Sequence, residues 1–437
     1  MNITEVLKRI NASAQPYIKV AVTDMDGMLR GKLISKEKAI TSVEKGFGFC
    51  DVIFGWDSTD TLYEKDSVTG WYRGFPDAKV TLDVKTLREI PWADHTLFLL
   101  GDFEHSLPAI CPRTILKSIT EQAITLGFEP RFSMEFEWFN FIQNESKRTP
   151  ISEGMFGYSI VRSSQFHDYW HALFSQLKGF DIHLEGFHTE TGPGVLEAAI
   201  QVTDILSAAD QAALFKTAVK EIGSEYGITP SFMAKWNTRY PGCSGHMHQS
   251  IWKGDQNLFY NHQGTLTELG EHYLAGLLHC LPYVLPMYAP TINSYKRLIK
   301  DTWAPTTISW GHDNRTVAVR YLTGDASMTR FELRVPGADN NPYLSMAASL
   351  ASGIYGIKNR LKLSLPETKG NAYQDETLTK LPNTLKQATQ QMKESPLPSQ
   401  LFGKPFVDHF IQSREWEVSL YERQVSDWEL NRYFEGI

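Results

Sequence analysis

The sequence lacks the features that mark several large classes of protein. Its four cysteines are scattered, with no Cys-x-x-Cys pair, which argues against a disulfide framework or a cysteine-held zinc site. No block of consecutive basic residues occurs, and the net charge is −7 with acids and bases interleaved. We therefore do not expect nucleic acid to be the main partner. Internal repeats and low-complexity tracts are also absent.

Long uninterrupted hydrophobic runs are missing as well. The most apolar stretch, residues 273–290, contains Pro282, Pro286 and Pro290, so it is not expected to span a membrane. The first residues, MNITEVLKRINAS, are polar and are typical of an ordinary helix rather than a signal peptide. These patterns predict a soluble, cytoplasmic protein with no membrane partner.

What the sequence does contain is enough apolar material for one large domain or two of ordinary size, since 42% of its 437 residues are hydrophobic. Strand-like segments separated by turns fill its first part, starting with a hairpin whose turn is MDGM (25–28). From residue 111 onward helices and strands mix, with long helices predicted near 206–226 and at 341–361. We predict an α+β protein with a small β-rich N-terminal domain, residues 1–105, and a large domain, residues 106–437.

One strand-like segment, RFSMEFEWFN (131–140), carries two acids on one face. Alternate residues of a strand share a face, so one side of this segment is wholly apolar while the other holds Glu135 and Glu137, about 7 Å apart. Two carboxylates this close repel each other unless something positive neutralises them. A solvated outer face with incidental acids is the simpler interpretation, and the rest of the chain has to decide between the two.

Five other segments carry related residues. In HTETGPGVLEAA (188–199) a Gly-Pro-Gly turn separates two acids, and CSGHMHQS (243–250) has two histidines at strand spacing, with Gly242 and Gly245 permitting close approach of the backbone. RFELRV (330–335) has an acid between two arginines, and residues 293–298 and 309–321 add further arginines. The candidate residues are Glu135, Glu137, Glu190, Glu197, His246, His248 and Glu332, with Arg297, Arg315, Arg320, Arg330 and Arg334.

This set of side chains suits divalent cations and phosphate. Carboxylates with one imidazole favour Mg²⁺ or Mn²⁺ over zinc, and the planar guanidinium of arginine binds carboxylates and phosphates through paired hydrogen bonds. Together they indicate a phosphoryl-transfer site, although the chain has neither a Walker A loop nor a protein-kinase signature. Taken singly, each segment is more often a surface acid, a cross-strand salt bridge or a satisfied sheet histidine. All of these segments would have to have such an ordinary explanation at once.

In this order the segments resemble the glutamine synthetase family over nearly the whole chain. The resemblance implies a small N-terminal β-grasp-like domain, a large catalytic domain with a curved antiparallel sheet and helices, and a homo-oligomer built as a double ring, a dodecamer or a decamer. It is carried by DMDGMLRGK (24–32), the Glu-x-Glu strand at 135–137, the acids at 190 and 197, HMHQS (246–250), PTINSYKRL (290–298), SWGHDNRT (309–316) and FELRVPGADNNPYL (331–344).

The resemblance also implies a two-step reaction and a role for each matching residue. ATP phosphorylates the γ-carboxylate of glutamate, and an amine then displaces the phosphate. Two or more Mg²⁺ or Mn²⁺ ions are expected, one held by Glu137, Glu190 and Glu197 and one by Glu135, His246 and Glu332. The other implied roles are nucleotide binding for His248, Ser250, Arg320 and Arg330, substrate binding for Gly242, Arg297, Arg334 and Trp303, and catalysis for Arg297, Arg315 and Arg334.

A further acid, Asp57 in FGWDSTD (54–60), is a candidate catalytic residue that acts in the cleft of a neighbouring subunit. An ordinary loop aspartate is the alternative interpretation of this residue.

The chain departs from the family pattern in ways that bear on its substrate. Lys235-Trp236 stands where the family often has Lys-Pro, and Val195 stands where a glutamine is usual. Six residues after Arg297, members that use ammonia have a glutamate that helps to enclose and deprotonate ammonium, whereas this chain has Trp303. In motif detail the chain is similar to the branch that joins glutamate to polyamines or other amines. No adenylylation segment is evident in 365–385.

Three hypotheses follow from this comparison. The first is an ATP-dependent ligase that forms γ-glutamyl amides and favours an amine other than ammonia. The second is a true glutamine synthetase with an unusual ammonium site. The third is a catalytically idle family member with a structural role, which would be expected to have lost cation ligands, whereas all six are present here.

Overall fold

The structure, a computed structural model, describes residues 1–65, 68–104, 107–143 and 147–437. Its N-terminal part mixes short helices with strands, and the predicted hairpin of 17–35 is present, with Tyr17 paired to Ser35 and Thr23 to Leu29. The elements are α1 (Ile3–Ala12), β1 (Tyr17–Thr23), β2 (Leu29–Ser35), α2 (Lys36–Lys45), β3 (Phe47–Cys50), β4 (Asp77–Leu82), β5 (Arg88–Ile90) and β6 (Thr96–Phe103).

The strands of this part form one sheet. Within the described ranges its order is β2-β1-β6-β4-β3, with β5 also pairing with β6. Strands β1 and β6 run parallel and the other pairs are antiparallel.

The rest of the chain mixes strands with longer helices, as the sequence predicts. It begins with α3 (Pro112–Thr125), β7 (Glu129–Ile142), α4 (Ile160–Ser163), α5 (His167–Gly179), β8 (Leu184–Thr189), β9 (Val195–Ile200), β10 (Thr203–Asp204), α6 (Ile205–Glu225), β11 (Ile228–Ser231), β12 (Gly245–Lys253), β13 (Gln256–Asn257) and α7 (Glu268–Tyr288). It continues with α8 (Ser294–Arg297), β14 (Trp310–His312), β15 (Val319–Leu322), β16 (Arg330–Leu333), α9 (Pro342–Lys358), α10 (Leu385–Glu394), α11 (Leu397–Phe402), α12 (Lys404–Glu422) and α13 (Asp427–Tyr433).

A second, larger sheet organises this part. Its order among the described residues is β14-β15-β16-β12-β7-β9-β8, with β10 and β11 also pairing with β7 and β13 with β12. Apart from the parallel pair β14–β15 the strands are antiparallel. The central strand β7 has a fully buried face of Phe132, Met134, Phe136 and Trp138, against which α6 packs. The predicted α+β class with a curved antiparallel sheet is confirmed.

The buried apolar side chains form two main cores. The smaller core draws on residues from Val6 to Cys111, while the larger one fills the space between the second sheet and its helices and also takes in Ala21 and Phe98. The predicted domain boundary, between residues 105 and 106, lies outside the described residues, so the division into 1–105 and 106–437 stays a prediction.

The two parts also meet at the start of α9. The side-chain oxygen of Asn341 accepts a hydrogen bond from the Tyr343 backbone N–H at 3.1 Å, which caps the helix. The amide nitrogen of the same side chain donates to the Met25 carbonyl oxygen in the hairpin turn at 3.0 Å. At Gly27 a side chain would contact Asn341, so glycine allows this close approach.

The apolar stretch of 273–290 lies mostly in α7, which continues through Pro282 and Pro286. Among the described residues, no helix combines the length and apolarity needed to cross a bilayer. The cytoplasmic location stays a prediction.

Candidate active site

Strand pairing brings the predicted acids and histidines to one face of the larger sheet. Residues directly opposite each other in neighbouring antiparallel strands point to the same side. Glu135 in β7 lies opposite His246 in β12, and Glu137 lies opposite Glu197 in β9. On the far side of β12, His248 lies opposite Glu332 in β16. Alternation along each strand determines which face of the sheet a side chain occupies. The register between strands then brings together residues that are far apart in the chain.

A cleft of about 770 Å³ opens over this face. All the predicted site residues except Asp57 and Ser250 line it. They are Glu135, Glu137, Glu190, Glu197, Gly242, His246, His248, Arg297, Trp303, Arg315, Arg320, Arg330, Glu332 and Arg334.

Three of these side chains form a first cluster, named here the inner cluster: Glu135, His246 and Glu332. One ligand atom from each lies within 4.8 Å of the other two. His246 Nδ1 is 3.6 Å from Glu135 Oε1 and 3.4 Å from Glu332 Oε1. This buried nitrogen has no hydrogen-bond partner among the described residues, although it faces two carboxylates.

Arginines surround the inner cluster. Arg334 Nη1 donates to Oε1 of Glu332, and Arg320 Nη1 donates to its Oε2 at 2.9 Å. On the other side Arg330 Nε donates to His248 Nδ1 at 3.1 Å. Since Nδ1 accepts, the proton of a neutral His248 is on Nε2, which lies 3.3 Å from Glu135 Oε2.

A second group, the outer cluster, contains His188, Glu190 and Glu197, whose ligand atoms also lie within 4.8 Å of one another. His188 Nε2 is 3.1 Å from Glu197 Oε1, and Nδ1 is 3.8 Å from Glu190 Oε2. Glu137 lines the same cleft, but its Oε2 accepts a hydrogen bond from the Ser244 backbone N–H at 2.6 Å.

The sequence reasoning missed His188, although a signal for it was present. His188 and Glu190 alternate, so they take the same face of β8 and its continuation. The register also sets His188 opposite Glu197. Tyr158 was missed too: it lines the cleft and lies against the His188 ring, with the ring centroids 4.4 Å apart. No local pattern points to it, because it comes from a loop that precedes α4.

The inner cluster keeps its acids charged. Burial disfavours a charge on Glu332, but Arg334 and His246 outweigh burial and lower its pKa to about 2. Burial also opposes ionisation of Glu135, yet its contacts with His246 and His248 hold its pKa well below the usual range. Burial and the charge of Arg334 lower the pKa of His246, which favours the neutral imidazole that metals bind.

The outer cluster has the opposite electrostatics. Burial, together with the charges of Glu135, Glu137 and Glu190, raises the pKa of Glu197 to about 12. Glu197 lies so close to other acids that its protonated form is favoured at neutral pH. A bound positive charge would remove this repulsion, so the outer cluster favours a cation.

The residues of both clusters fit divalent cations. A cation in the inner cluster would supply the partner that His246 Nδ1 lacks, and one in the outer cluster would relieve the repulsion on Glu197. Oxygen-rich donor sets with one histidine suit Mg²⁺ or Mn²⁺. Which side chains bind a cation stays a prediction.

Arg297 and Gly242 are packed together at one side of the cleft. Arg297 is buried, and its guanidinium donates to the carbonyl oxygens of Val335 at 2.9 Å and Arg334 at 3.1 Å. A side chain at Gly242 would collide with the Ala234 carbonyl oxygen and lie 2.9 Å from Arg297 Cγ, so only glycine allows this approach. In this structure Arg297 supports the backbone that carries Arg334.

Two other lining residues reach the cleft from loops. The Arg315 carbonyl oxygen accepts a hydrogen bond from Arg334 Nε at 3.1 Å. The Trp303 carbonyl accepts from Arg334 Nη2 at 3.4 Å, and the residue is 55% exposed with a positive φ of 55°. The loop therefore holds its backbone against Arg334 while the indole remains accessible.

Asp57 and Ser250 do not line the cleft of this chain. Asp57 is buried, and its Oδ2 accepts a hydrogen bond from Trp416 Nε1 of α12 at 2.9 Å, while Oδ1 accepts from Thr59 and Thr61. The Ser250 hydroxyl oxygen accepts from Trp252 Nε1 at 2.8 Å. The predicted roles of Asp57 across an interface and of Ser250 near the nucleotide stay predictions.

Comparison with known proteins identifies the family of this chain. The family model for the glutamine synthetase catalytic domain matches residues 109–433. Type-1 glutamine synthetase 2 of Dictyostelium discoideum is 45% identical over 99% of this chain and 86% of its own length. Glutamate–isopropylamine ligase of Pseudomonas sp is 36% identical, with 96% of this chain and 95% of that protein covered.

The fold also has a solved counterpart. The structure of a GmaS–ADP complex superimposes with a TM-score of 0.87 at 24% identity, covering 98% of this chain and 99% of that one. This likeness shows the fold. The family model and the sequence relatives confirm the predicted family: the chain belongs to the glutamine synthetase family, whose members are ATP-dependent glutamate ligases.

Proposed function

We propose that this protein joins the γ-carboxylate of glutamate to a primary amine at the expense of ATP, and that ammonia is a poor acceptor. The observation that carries the proposal is Trp303, an accessible indole in the cleft at the position where ammonia-using members have a glutamate. The similarity to a glutamate–isopropylamine ligase supports it.

The chemistry divides into two steps. The γ-carboxylate oxygen of glutamate attacks the terminal phosphorus of ATP, and the bond to ADP breaks. The amine nitrogen then attacks the acyl carbon, the C–N bond forms, inorganic phosphate leaves with the bond electrons, and the nitrogen releases one proton. The reaction needs no protein nucleophile, so positioning and charge stabilisation are the contributions required of the protein.

The side chains of the cleft suit these contributions. Divalent cations held by the inner and outer clusters would neutralise phosphate charge and act as Lewis acids. The guanidinium groups of Arg315, Arg320, Arg330 and Arg334 line the same cleft and can meet the charge on the transferred phosphoryl group. Arg297 and Gly242 belong to the wall on the side of Arg334, where they support the substrate-binding role proposed for Arg334.

The acceptor preference follows from the nature of an indole. It offers neither negative charge nor a proton acceptor, but it offers a π face and apolar surface. Attraction of an ammonium group to such a face is worth about 0.5–2 kcal/mol, and a carbon chain adds apolar contact. Ammonium, which is small and strongly hydrated, gains least. Tyr158 gives the same cleft a second aromatic ring.

A second candidate function is true glutamine synthesis from ammonia. The 45% identity to a glutamine synthetase of Dictyostelium discoideum favours it. Glu190 and Glu197 would then have to provide the negative charge that Trp303 does not.

The two candidates separate in one kinetic experiment. The purified protein is assayed for phosphate release with ATP, Mg²⁺, glutamate and one acceptor at a time, from ammonia, ethylamine, isopropylamine, ethanolamine and putrescine. We expect at least one amine to exceed ammonia in kcat/KM. Faster turnover with ammonia than with every amine would contradict the proposal and support glutamine synthesis.

A pair of variants tests the role of the indole directly. Trp303→Glu is expected to shift the ratio of kcat/KM toward ammonia by a factor of up to about 30, the loss that the cation–π energy allows. Trp303→Phe keeps a π face and serves as the matched control, with a smaller shift. Equal ratios in all three proteins would show that residue 303 does not select the acceptor.

We also propose that the active form is a homo-oligomer, a double ring in which Asp57 acts in the cleft of a neighbouring subunit. Sedimentation combined with activity measured on dilution tests this. A fully active monomer would overturn it, and so would an Asp57→Ala oligomer with unchanged turnover.

A further inference from the structure

An exposed acid at the rim of the cleft is linked to the inner cluster through one arginine. Asp313 Oδ1 accepts hydrogen bonds from Arg320 Nε at 3.0 Å and from Arg320 Nη2. Arg320 Nη1 donates in turn to Glu332 Oε2 at 2.9 Å. The three side chains form a continuous line from solvent to the floor of the cleft, with 60% of the Asp313 side chain exposed but only 2% of that of Glu332.

This line affects how Glu332 presents itself. Its two carboxylate oxygens have different surroundings: Oε2 accepts from Arg320 Nη1, whereas Oε1 accepts from Arg334 Nη1 and also faces His246 Nδ1 at 3.4 Å, inside the inner cluster. While Arg320 is held on Oε2, the carboxylate cannot rotate without losing a charge-assisted hydrogen bond. Oε1 therefore remains directed at the place where the cation is proposed to bind.

Without Asp313, Arg320 would be held in place by Glu332 alone. Arg330 is close enough for its like charge to act against that of Arg320, and an arginine side chain has several rotatable bonds. Asp313 removes that freedom because it engages Nε and Nη2 together and leaves Nη1 for Glu332. The local backbone favours this: Asp313 has a φ of 47°, and its N–H donates to the Tyr321 carbonyl oxygen at 2.9 Å, which fixes the residue beside β15.

We propose that Asp313 is a positioning residue that sets the orientation of Glu332 for the inner-cluster cation by holding Arg320. The inference rests on the proposed cation site of Glu135, His246 and Glu332. Side chains that orient metal ligands typically change metal affinity by about 10- to 100-fold when removed. The effect belongs to binding, so it does not require turnover to be observed.

The test measures Mn²⁺ binding to the protein without nucleotide, from the electron paramagnetic resonance signal of free Mn²⁺. We expect Asp313→Ala to weaken the affected site by about 10-fold or more. Asp313→Asn should be intermediate, since its amide oxygen can still accept one hydrogen bond and Asn tolerates positive φ. Asp168→Ala is the matched control, because Asp168 is an exposed acid of α5 whose side chain contacts His167.

A double variant separates positioning from a general loss of charge. If Asp313 acts through Glu332, Asp313→Ala adds no further loss of Mn²⁺ affinity in a Glu332→Ala background. Equal losses in both backgrounds would show a nonspecific electrostatic effect and overturn the inference, as would wild-type affinity in Asp313→Ala.

The failure of the underlying site would look different. If Glu332→Ala binds Mn²⁺ as the wild type does, then the proposed cation site is wrong and the role of Asp313 falls with it. Thermal unfolding of the metal-free variants, expected to match the wild type for both Asp313 substitutions, checks that the fold is kept.

Discussion

The inner and outer clusters are built from the same residue types but are neutralised in different ways. In the inner cluster the protein supplies the positive charge, since Arg320 and Arg334 both donate to Glu332, whose pKa is lowered to about 2. In the outer cluster Glu197 lies among other acids with His188 as its nearest basic group, and its pKa is raised to about 12. Glu332 is paired with positive charge before anything binds, whereas Glu197 requires a cation from outside.

The difference suggests a division of labour. A carboxylate such as Glu332, already hydrogen-bonded to two arginines, is held in one orientation before substrate binds. This suits the proposed role of the inner cluster in orienting phosphates. A cluster short of positive charge attracts cations strongly, which suits both a metal ion and the ammonium form of an acceptor. The first three predictions below compare the two clusters through single substitutions, and the last concerns a histidine outside both.

Removing an inner-cluster ligand is expected to have the largest effect. Glu332→Ala or His246→Ala should lower ATP turnover by at least about 100-fold, because positioning and charge stabilisation of phosphate are both lost. Circular dichroism should show an intact fold. Glu129→Ala, at the exposed start of the same strand β7, is the control and should keep wild-type turnover. Near-normal rates in either cluster variant would refute the assignment of the inner cluster.

Neutralising one glutamate in each cluster should have unequal effects on the metal-free protein. Glu332→Gln leaves Arg320 and Arg334 without their carboxylate and is expected to lower the free energy of unfolding by about 3–5 kcal/mol, the usual result of breaking a buried ion pair. Glu197→Gln replaces a carboxyl whose raised pKa already favours the neutral form, so the change should be below about 1 kcal/mol. Chemical denaturation with chelator present measures both. Equal losses would erase the distinction between the clusters.

Added cations should stabilise the protein mainly through the cluster that lacks charge. At a concentration 100 times the Kd, one bound Mn²⁺ raises the free energy of unfolding by about 2.7 kcal/mol. We expect the wild type to gain at least this amount and Glu197→Gln to gain less, as measured by unfolding with and without Mn²⁺. A full gain in Glu197→Gln would mean that the outer cluster does not contribute to cation binding.

Much of this arrangement could be predicted from local sequence pattern, and the exceptions have physical reasons. Alternation alone gives the shared face of Glu135 and Glu137, and the segments that resemble the family locate His246 and Glu332. The partners of these residues depend on register, which no single segment encodes, so the pairing of His188 with Glu197 was missed. Asp313 lies in the segment SWGHDNRT, but its role cannot be predicted from that segment, because its contact with Arg320 depends on a turn with positive φ. The hydrogen bond from Trp416 to the Asp57 carboxylate could not be predicted either, because the two residues are far apart in the sequence.

The last prediction concerns the pH dependence of stability that arises from His409, a residue outside both clusters. This contribution has to be known before any pH dependence is assigned to the clusters. His409 in α12 is buried between the rings of Phe54 and Tyr63, and burial together with Arg414 lowers its pKa from 6.5 to about 4. The unfolded chain takes up this proton near pH 6.5, whereas the folded protein resists it until about pH 4, so stability falls as the pH falls through this window. Between pH 7.5 and 5 this one group lowers the free energy of unfolding by about 2 kcal/mol.

The substitution His409→Phe keeps an aromatic ring between Phe54 and Tyr63 and removes the titrating group. Its free energy of unfolding, measured in urea at several pH values, should therefore decline less steeply than that of the wild type whatever its absolute value. Parallel declines in the two proteins would show that His409 does not resist protonation in the fold, and that the acid sensitivity originates elsewhere, with the cleft the first place to examine.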